Sequence, residues 1–499
     1  MASAVYGKIL VRYFEITQEL AKTPDARSRT ANTGSSSSEE SRGVSERVLG
    51  KSTDSAAHTD PTGDAVARLL AQQAHALVTI HKDLTSNKSI VNVNVNQGLL
   101  KRRIADLISI SSSKFYAYRY DLLPVVWRQI YTDTSILDSF SLIVQPLIID
   151  GIVPDELLDL VVEKLDRALI TAGGGGRQQW LEETIRMLEV AWTANEEPER
   201  PTKRQRYDTS TQCFSNYQPH GQPRLSPTRE CPRHSGWTMP QFEDYMNSNN
   251  REPRPVIFTD LITGWPALTD RPWKDPEYLL SQTFGGRRLV PVEIGRSYVD
   301  EGWGQELIQF RDFLDRYVTG ETDTIGYLAQ HNLFHQIPSL RNDIYVPDFC
   351  WVDVPPHPTT PSLNQPSVDL PQLNAWFGPA RTITPLHTDG YHNLLCQVVG
   401  TKYIRLYPPR AAYAMQPRVS EHGVDMSNTS RLDVGVLEGW DEKPKDMNGE
   451  DVQKMRKQLE GIEYWECILK PGDTLVIPIG WWHYVRSLSV SFSVSFWWN

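Results

Sequence analysis

From Val490 to Phe496 the chain alternates without a slip. Val490, Phe492, Val494 and Phe496 fall on one side, and Ser491, Ser493 and Ser495 on the other. Side chains of an extended chain point to opposite faces in turn, so a period of two marks a strand with one apolar and one polar face. An apolar face needs a cover, and a single strand cannot supply it. Pro255 to Phe258, Arg288 to Glu293, Leu394 to Val399, Tyr403 to Tyr407 and Thr474 to Pro478 are further short runs of strand character. The mostly antiparallel strand count predicts a double-sheet barrel in which each sheet covers the other's apolar face.

The first part of the chain has a different period. Residues 5–21 read as an amphipathic helix, and a second helix starts at Asp64 with Val66, Leu69, Leu70, Leu77 and Ile80 at helical spacing. Helical patterning continues over 99–149, 155–170 and 178–192, with Gly173 to Gly176 as a flexible link. Residues 22–62 are dominated by Ser, Thr, Asp, Glu and Gly, too little apolar surface to offset the entropy of ordering, and read as disordered. The expected organisation is therefore α+β and multidomain: an α-helical region over 1–205, a linker over 206–232, and a β-rich domain over 233–499. Two insertions, 354–371 (proline-rich) and 411–463 (charged), interrupt that domain.

A net charge of −10 argues against a broad, sequence-independent grip on nucleic acid, which needs a basic surface. No run approaches the ~18 apolar residues of a membrane span. The five cysteines lack CxxC spacing, which suits a reducing compartment, and the N-terminus lacks a signal-peptide core, so an intracellular protein is expected. Arg200 to Arg206 (RPTKRQR) is either a nuclear localisation patch or a solvated basic stretch. The helical region carries no legible chemistry: His75 and His81 are six apart and do not share a face. A protein partner is one use for such an array.

Chemistry concentrates between Asn374 and Pro409 and near the C-terminus. His387-Thr388-Asp389 puts two ligand types at i and i+2, on the same side of an extended backbone, and His483 can arrive from a neighbouring strand. Two histidines and one carboxylate take one face of an octahedron and leave three positions open, as a non-haem Fe(II) oxygenase requires. The runs around Gly400-Thr401 predict a hairpin with a type II′ turn, pairing Val399 with Lys402, Gln397 with Ile404 and Leu395 with Leu406. Lys402 then shares the mostly apolar face of Leu395. Either it snorkels to a rim, or it is a fixed cation for the far carboxylate of a small dicarboxylate. His331 and His335 have the spacing of a helical metal pair but no accompanying third ligand.

NAWFGP, TPLHTDGYHNLLCQVVGTKYIRLYPP and GDTLVIPIGWWHYVRSLSVSFSVSFWW resemble the Jumonji C (JmjC) oxygenases, and the likeness extends back through GYLAQHNLFHQIPSL, PVEIGRSY and PVIFTDLITGWPA to cover roughly residues 233–499. The resemblance implies a double-stranded β-helix (the cupin or jelly-roll fold) that binds Fe(II) and uses 2-oxoglutarate and O2. It implies that Thr384 and Tyr327 assist Lys402 at the distal carboxylate and that Asn393 lies near the metal-chelating end. Members of the subgroup it most resembles are described as arginyl hydroxylases and as histone methyl-lysine demethylases, so a protein or peptide substrate with arginine or methyl-lysine is expected. Glu293, with Trp303 and Trp376, would suit a guanidinium by bidentate bonding and stacking, which favours arginine. A zinc hydrolase and a non-catalytic cupin binding module stay open; the first would have no use for an inward Lys402.

Overall fold

The computed structural model describes residues 2–22, 61–87, 95–119, 122–195, 213–248, 252–320, 322–420, 424–444 and 447–499. Most of the stretch read as disordered, and all of the basic stretch 200–206, lie outside the described residues. The chain divides into two compact units, Met1–Gln205 with Arg287–Leu289, and Arg206–Gly286 with Val290–Asn499.

The first unit is helical: α1 (Ala2–Leu20), α2 (Pro61–Asn87), α3 (Gln97–Ala117), α4 (Val125–Ile149), α5 (Asp155–Ala172) and α6 (Gln178–Asn195). Helix α2 begins at Pro61 rather than Asp64, since a proline at the first helical position gives up an N–H that has no partner there anyway. Helix α4 packs against α1, α2, α3 and α5. Its buried hydroxyls answer that position by bonding back along the helix, Thr134 Oγ1 to Ile130 O at 2.6 Å and Ser135 Oγ to Tyr131 O at 2.8 Å. The glycine run after α5 is not a loose spacer. Gly175 has φ +46° and lies so close to α4 that a Cβ would stand 2.5 Å from Arg128 O. His81 stacks on Phe14 with centroids 3.9 Å apart, a packing role.

The second unit contains thirteen strands among the described residues, in two sheets. They are β1 (Arg233–His234), β2 (Val256–Phe258), β3 (Leu289–Ile294), β4 (Gly304–Gln309), β5 (Gly326–His331), β6 (Gln372–Gly378), β7 (Ile383–His387), β8 (His392–Val399), β9 (Lys402–Tyr407), β10 (Trp465–Leu469), β11 (Thr474–Ile477), β12 (Trp482–Ser487) and β13 (Ser491–Trp498). The large sheet runs β1-β2-β11-β8-β13-β6-β5-β3-β4 and the small one β10-β9-β12-β7. Leu395, Leu475 and Ile477 of the large sheet meet Ile404, Leu406 and Val485 of the small one in a shared core. The second unit is the expected cupin-type barrel, and it follows the helical region in the sequence.

Two details differ from expectation. The apolar side of β13 faces away from the small sheet: Phe492 stacks on Phe377 and packs on Trp273, in a core with Trp265 and Phe310 from the preceding segment. Its serines face inward and are satisfied there. Gln397 donates to Ser491 Oγ at 2.9 Å and accepts from Ser493 Oγ at 2.8 Å, and Ser495 Oγ accepts from Trp376 Nε1 at 2.9 Å. Second, β8 and β9 do not pair. Strand β8 lies between β11 and β13, whereas β9 lies between β10 and β12, so Lys402 stands opposite Leu469 and Ser487. Gly400-Thr401 steps between sheets instead of folding a hairpin. Three Cα–Cα intervals reach about 11 Å, enough for that step. Gly400 is obligatory there, with φ +68° and Val490 O 1.7 Å from where a Cβ would be.

Residues of the second insertion extend the small sheet. Thr429 bridges antiparallel to His387 and Ser430 to Pro417, with Thr388 N donating to Asn428 O at 2.9 Å and Ser430 N to Leu386 O at 2.8 Å.

Candidate metal and cosubstrate site

A narrow cleft opens between the sheets, lined by Tyr327, Trp376, Thr384, His387, Asp389 and Asn393, with Leu395, Lys402, Ile477, His483 and Val485 completing it. His387 closes β7 and His483 stands directly opposite it on β12. Their ring centroids are 4.1 Å apart. Each Nδ1 faces a backbone carbonyl, Pro385 O at 2.8 Å and Trp481 O at 3.0 Å. A carbonyl can only accept, so both protons sit on Nδ1 and both Nε2 lone pairs are free. Those Nε2 atoms lie 3.7 and 3.6 Å from the two Asp389 carboxylate oxygens. Among the described residues these three form the one group of His, Cys, Asp or Glu able to hold a metal ion. Burial, then the neighbouring His387, pushes His483 down to about 4, so its ring is neutral near pH 7, as ligation requires.

Asp389 is not on the strand. Strand β7 ends at His387 and β8 begins at His392, so the carboxylate comes from the intervening loop, held by contacts other than a β-ladder. His331 ends β5 while His335 belongs to the short helix Leu333–Gln336, and His331 Nε2 is bonded to Gln336 Oε1 at 2.7 Å. They do not form a helical pair.

At the far end of the cleft lies Lys402, 1% exposed, which rules out snorkelling. Its Nζ donates to Tyr327 Oη at 3.2 Å, and burial alone pushes its pKa down to about 7. Tyr327 is also hydrogen-bonded to Thr384. Near the metal end, Asn393 Oδ1 is buried without a partner. A buried cation with no acid beside it among the described residues suits a cavity that takes an acidic guest. The donor set fits Fe(II) and a 2-oxo dicarboxylate.

Glu293 and Trp303 stand beyond the cleft wall, on β3 and the turn before β4, while Trp376 is part of the wall. Glu293 is opposite Tyr327 in the β3–β5 pair. Burial raises its pKa, offset by the indole of Trp303. Tyr298, which the sequence did not single out, connects the two regions: both Asp389 and Glu293 act on its phenol, and its Oη lies 3.3 Å from Thr429 Oγ1. Leu395, Ile477 and Val485 were legible as strand residues, yet nothing local marked them as cleft wall.

A family model described as a cupin-like domain matches residues 241–499. Lysine-specific demethylase 8 of Danio rerio is 36% identical over 379 residues, covering 75% of this chain and 81% of the relative. The chain belongs to the JmjC cupin oxygenases. Jumonji C domain-containing protein 5 of Drosophila melanogaster is 38% identical over 264 residues, 52% of this chain and 58% of that protein. The bifunctional peptidase and (3S)-lysyl hydroxylase JMJD7 of Homo sapiens is 23% identical over 263 residues, 49% of this chain and 77% of that protein. JmjC oxygenases are Fe(II)- and 2-oxoglutarate-dependent dioxygenases, and this chain is one of them. No described helix is long and apolar enough to cross a membrane.

Proposed function

We propose that the protein oxidises a basic side chain of a protein substrate, with methyl-lysine demethylation as the first reading. Relatives named lysine-specific demethylases support it, from Danio rerio at 36% identity and from Xenopus tropicalis at 40%. His387, Asp389 and His483 would hold Fe(II). Lys402, helped by Tyr327 and Thr384, would hold the distal carboxylate of 2-oxoglutarate, and Asn393 would face its chelating end. With O2, this pair supplies oxidative decarboxylation to succinate coupled to hydroxylation of a C–H bond. On an N-methyl group the product is a hemiaminal that loses formaldehyde.

The chain's own contribution is orientation and exclusion of water. Lys402 and Tyr327 fix one end of the cosubstrate, while Leu395, Ile477 and Val485 keep the cavity walls dry. Trp376, locked by Ser495, keeps one wall from moving. The observation that carries the reading is one cleft with three convergent ligands at one end and a buried, acid-free ammonium at the other.

Arginine hydroxylation is the second reading, favoured by Glu293. A half-buried carboxylate beside an indole suits a guanidinium better than a methylammonium. The test is anaerobic loading with Fe(II), then succinate measurement with methyl-lysine and arginine peptides. A lost methyl group with formaldehyde supports the first reading and an added oxygen on arginine the second. Zinc with no 2-oxoglutarate turnover would end both. Action in the nucleus follows from the first reading as part of the same proposal.

A further inference from the structure

Asp389 is a ligand on a loop, so something other than strand pairing has to keep its carboxylate opposite the two imidazoles. The proline-rich insertion does this work from one side. Its residue His357 is buried, and its ring fills the notch over Gly480: a Cβ there would stand 2.3 Å from His357 Nε2. Gly480, at φ +78°, donates its N–H to Asp389 O at 3.3 Å. The ring itself is fixed, because its Nδ1 accepts from the backbone N–H groups of Thr359 and Thr360 at 3.3 and 3.1 Å.

The same insertion takes hold of the loop at two further points. Gln365 N donates to Gly390 O at 3.3 Å, and a Cβ on Gly390 would meet Gln365 Cγ at 2.7 Å. His392 Nε2 donates to Pro355 O at 2.8 Å while its Nδ1 accepts from Ile479 N at 3.3 Å. That imidazole therefore ties together the insertion, the start of β8 and the turn that leads to His483.

We infer that the insertion over 354–371 is a strap that positions the metal ligand Asp389, with His357 seated on Gly480 as its principal positioning residue. The inference rests on the metal reading above. Outer residues that orient ligands typically govern 10- to 100-fold in metal affinity, and His357 is of that kind here, acting through a backbone amide.

The test uses Mn(II), whose free and bound forms are distinguished by electron paramagnetic resonance, on the full chain without turnover. His357→Ala is expected to weaken Mn(II) binding by about tenfold while the folded protein keeps its far-ultraviolet spectrum. Gly480→Ala should weaken it similarly, and the double variant should be no worse than the weaker single one, because both break one contact. If His357→Ala fails to fold, His357→Asn replaces it: the amide oxygen can still accept from Thr359 and Thr360, yet the ring over Gly480 is gone. Wild-type affinity in a folded variant overturns the strap. Failure of the wild-type chain to bind Mn(II) overturns the metal reading and the strap with it.

Discussion

Lys402 Nζ donates to Tyr327 Oη at 3.2 Å, and no carboxylate among the described residues pairs with that ammonium. Under the proposed function, the acid that would pair with it is the distal carboxylate of 2-oxoglutarate. Replacing it by Met should remove a charge-assisted contact worth about 1.5–3 kcal/mol, roughly 10- to 100-fold in the dissociation constant for 2-oxoglutarate. Calorimetry in the presence of Mn(II) measures this. The ligand-free Lys402→Met protein should melt higher than wild type, because an unpaired buried cation has been removed.

Burial holds Lys402 near 7, below its ordinary 10.5. Between those values the folded, ligand-free protein carries fewer protons than the unfolded chain. This group therefore adds stability as pH rises through that window, and the gain is lost below about 7. A bound carboxylate favours the charged form, so 2-oxoglutarate binding above pH 7 should weaken with pH and take up a proton. Titrations in two buffers of different ionisation enthalpy would reveal the uptake; equal heats would contradict the assignment.

Asp389→Ala should abolish tight Mn(II) binding, a loss of at least about 100-fold, since one of three protein ligands disappears. The readout is again the free Mn(II) signal, and retained binding would show that the ion sits elsewhere.

Glu293→Gln keeps the shape and removes the charge. If the substrate is cationic, its KM should rise roughly tenfold, the scale of one charge-assisted hydrogen bond, with substrate-independent succinate formation unchanged. An equal fall in both rates would place Glu293 in the cosubstrate machinery instead. The ratio of the effect on arginine peptides to that on methyl-lysine peptides separates the two substrate readings.

Gln397 closes the polar inner face of β13, with bonds to Ser491 and Ser493 and to the carbonyls of Val399 and Gly400. Gln397→Leu leaves buried hydroxyls without partners and should cost about 1–3 kcal/mol by chemical denaturation. An unchanged midpoint would mean that the serines find other partners.

That His387, His483 and Lys402 line one cleft was legible because side-chain alternation along a strand is local. Lys402 points into the cleft whether β9 pairs with β8 or crosses to the other sheet, so the face was right although the pairing was wrong. Pairing itself was illegible: β8 and β9 are buried on both faces, and a Gly-X step serves a hairpin and a sheet crossing equally well. The placement of Asp389 off the strand was hidden for a related reason, since an HxD tripeptide does not reveal where the ladder stops. His357 and Gly480 are more than a hundred residues apart and became a pair only through the fold. Nothing in a proline-rich run announces which of its side chains is seated in a notch.

The bridge between Thr429 and His387 has a consequence for solubility. Without it, β7 would leave its backbone amides and carbonyls unpaired on one side, a template onto which a strand of another molecule could add. Such an addition would occur beside His387, which lines the cleft. By pairing with the His387 end of β7, the second insertion takes up backbone groups that an incoming strand would otherwise use.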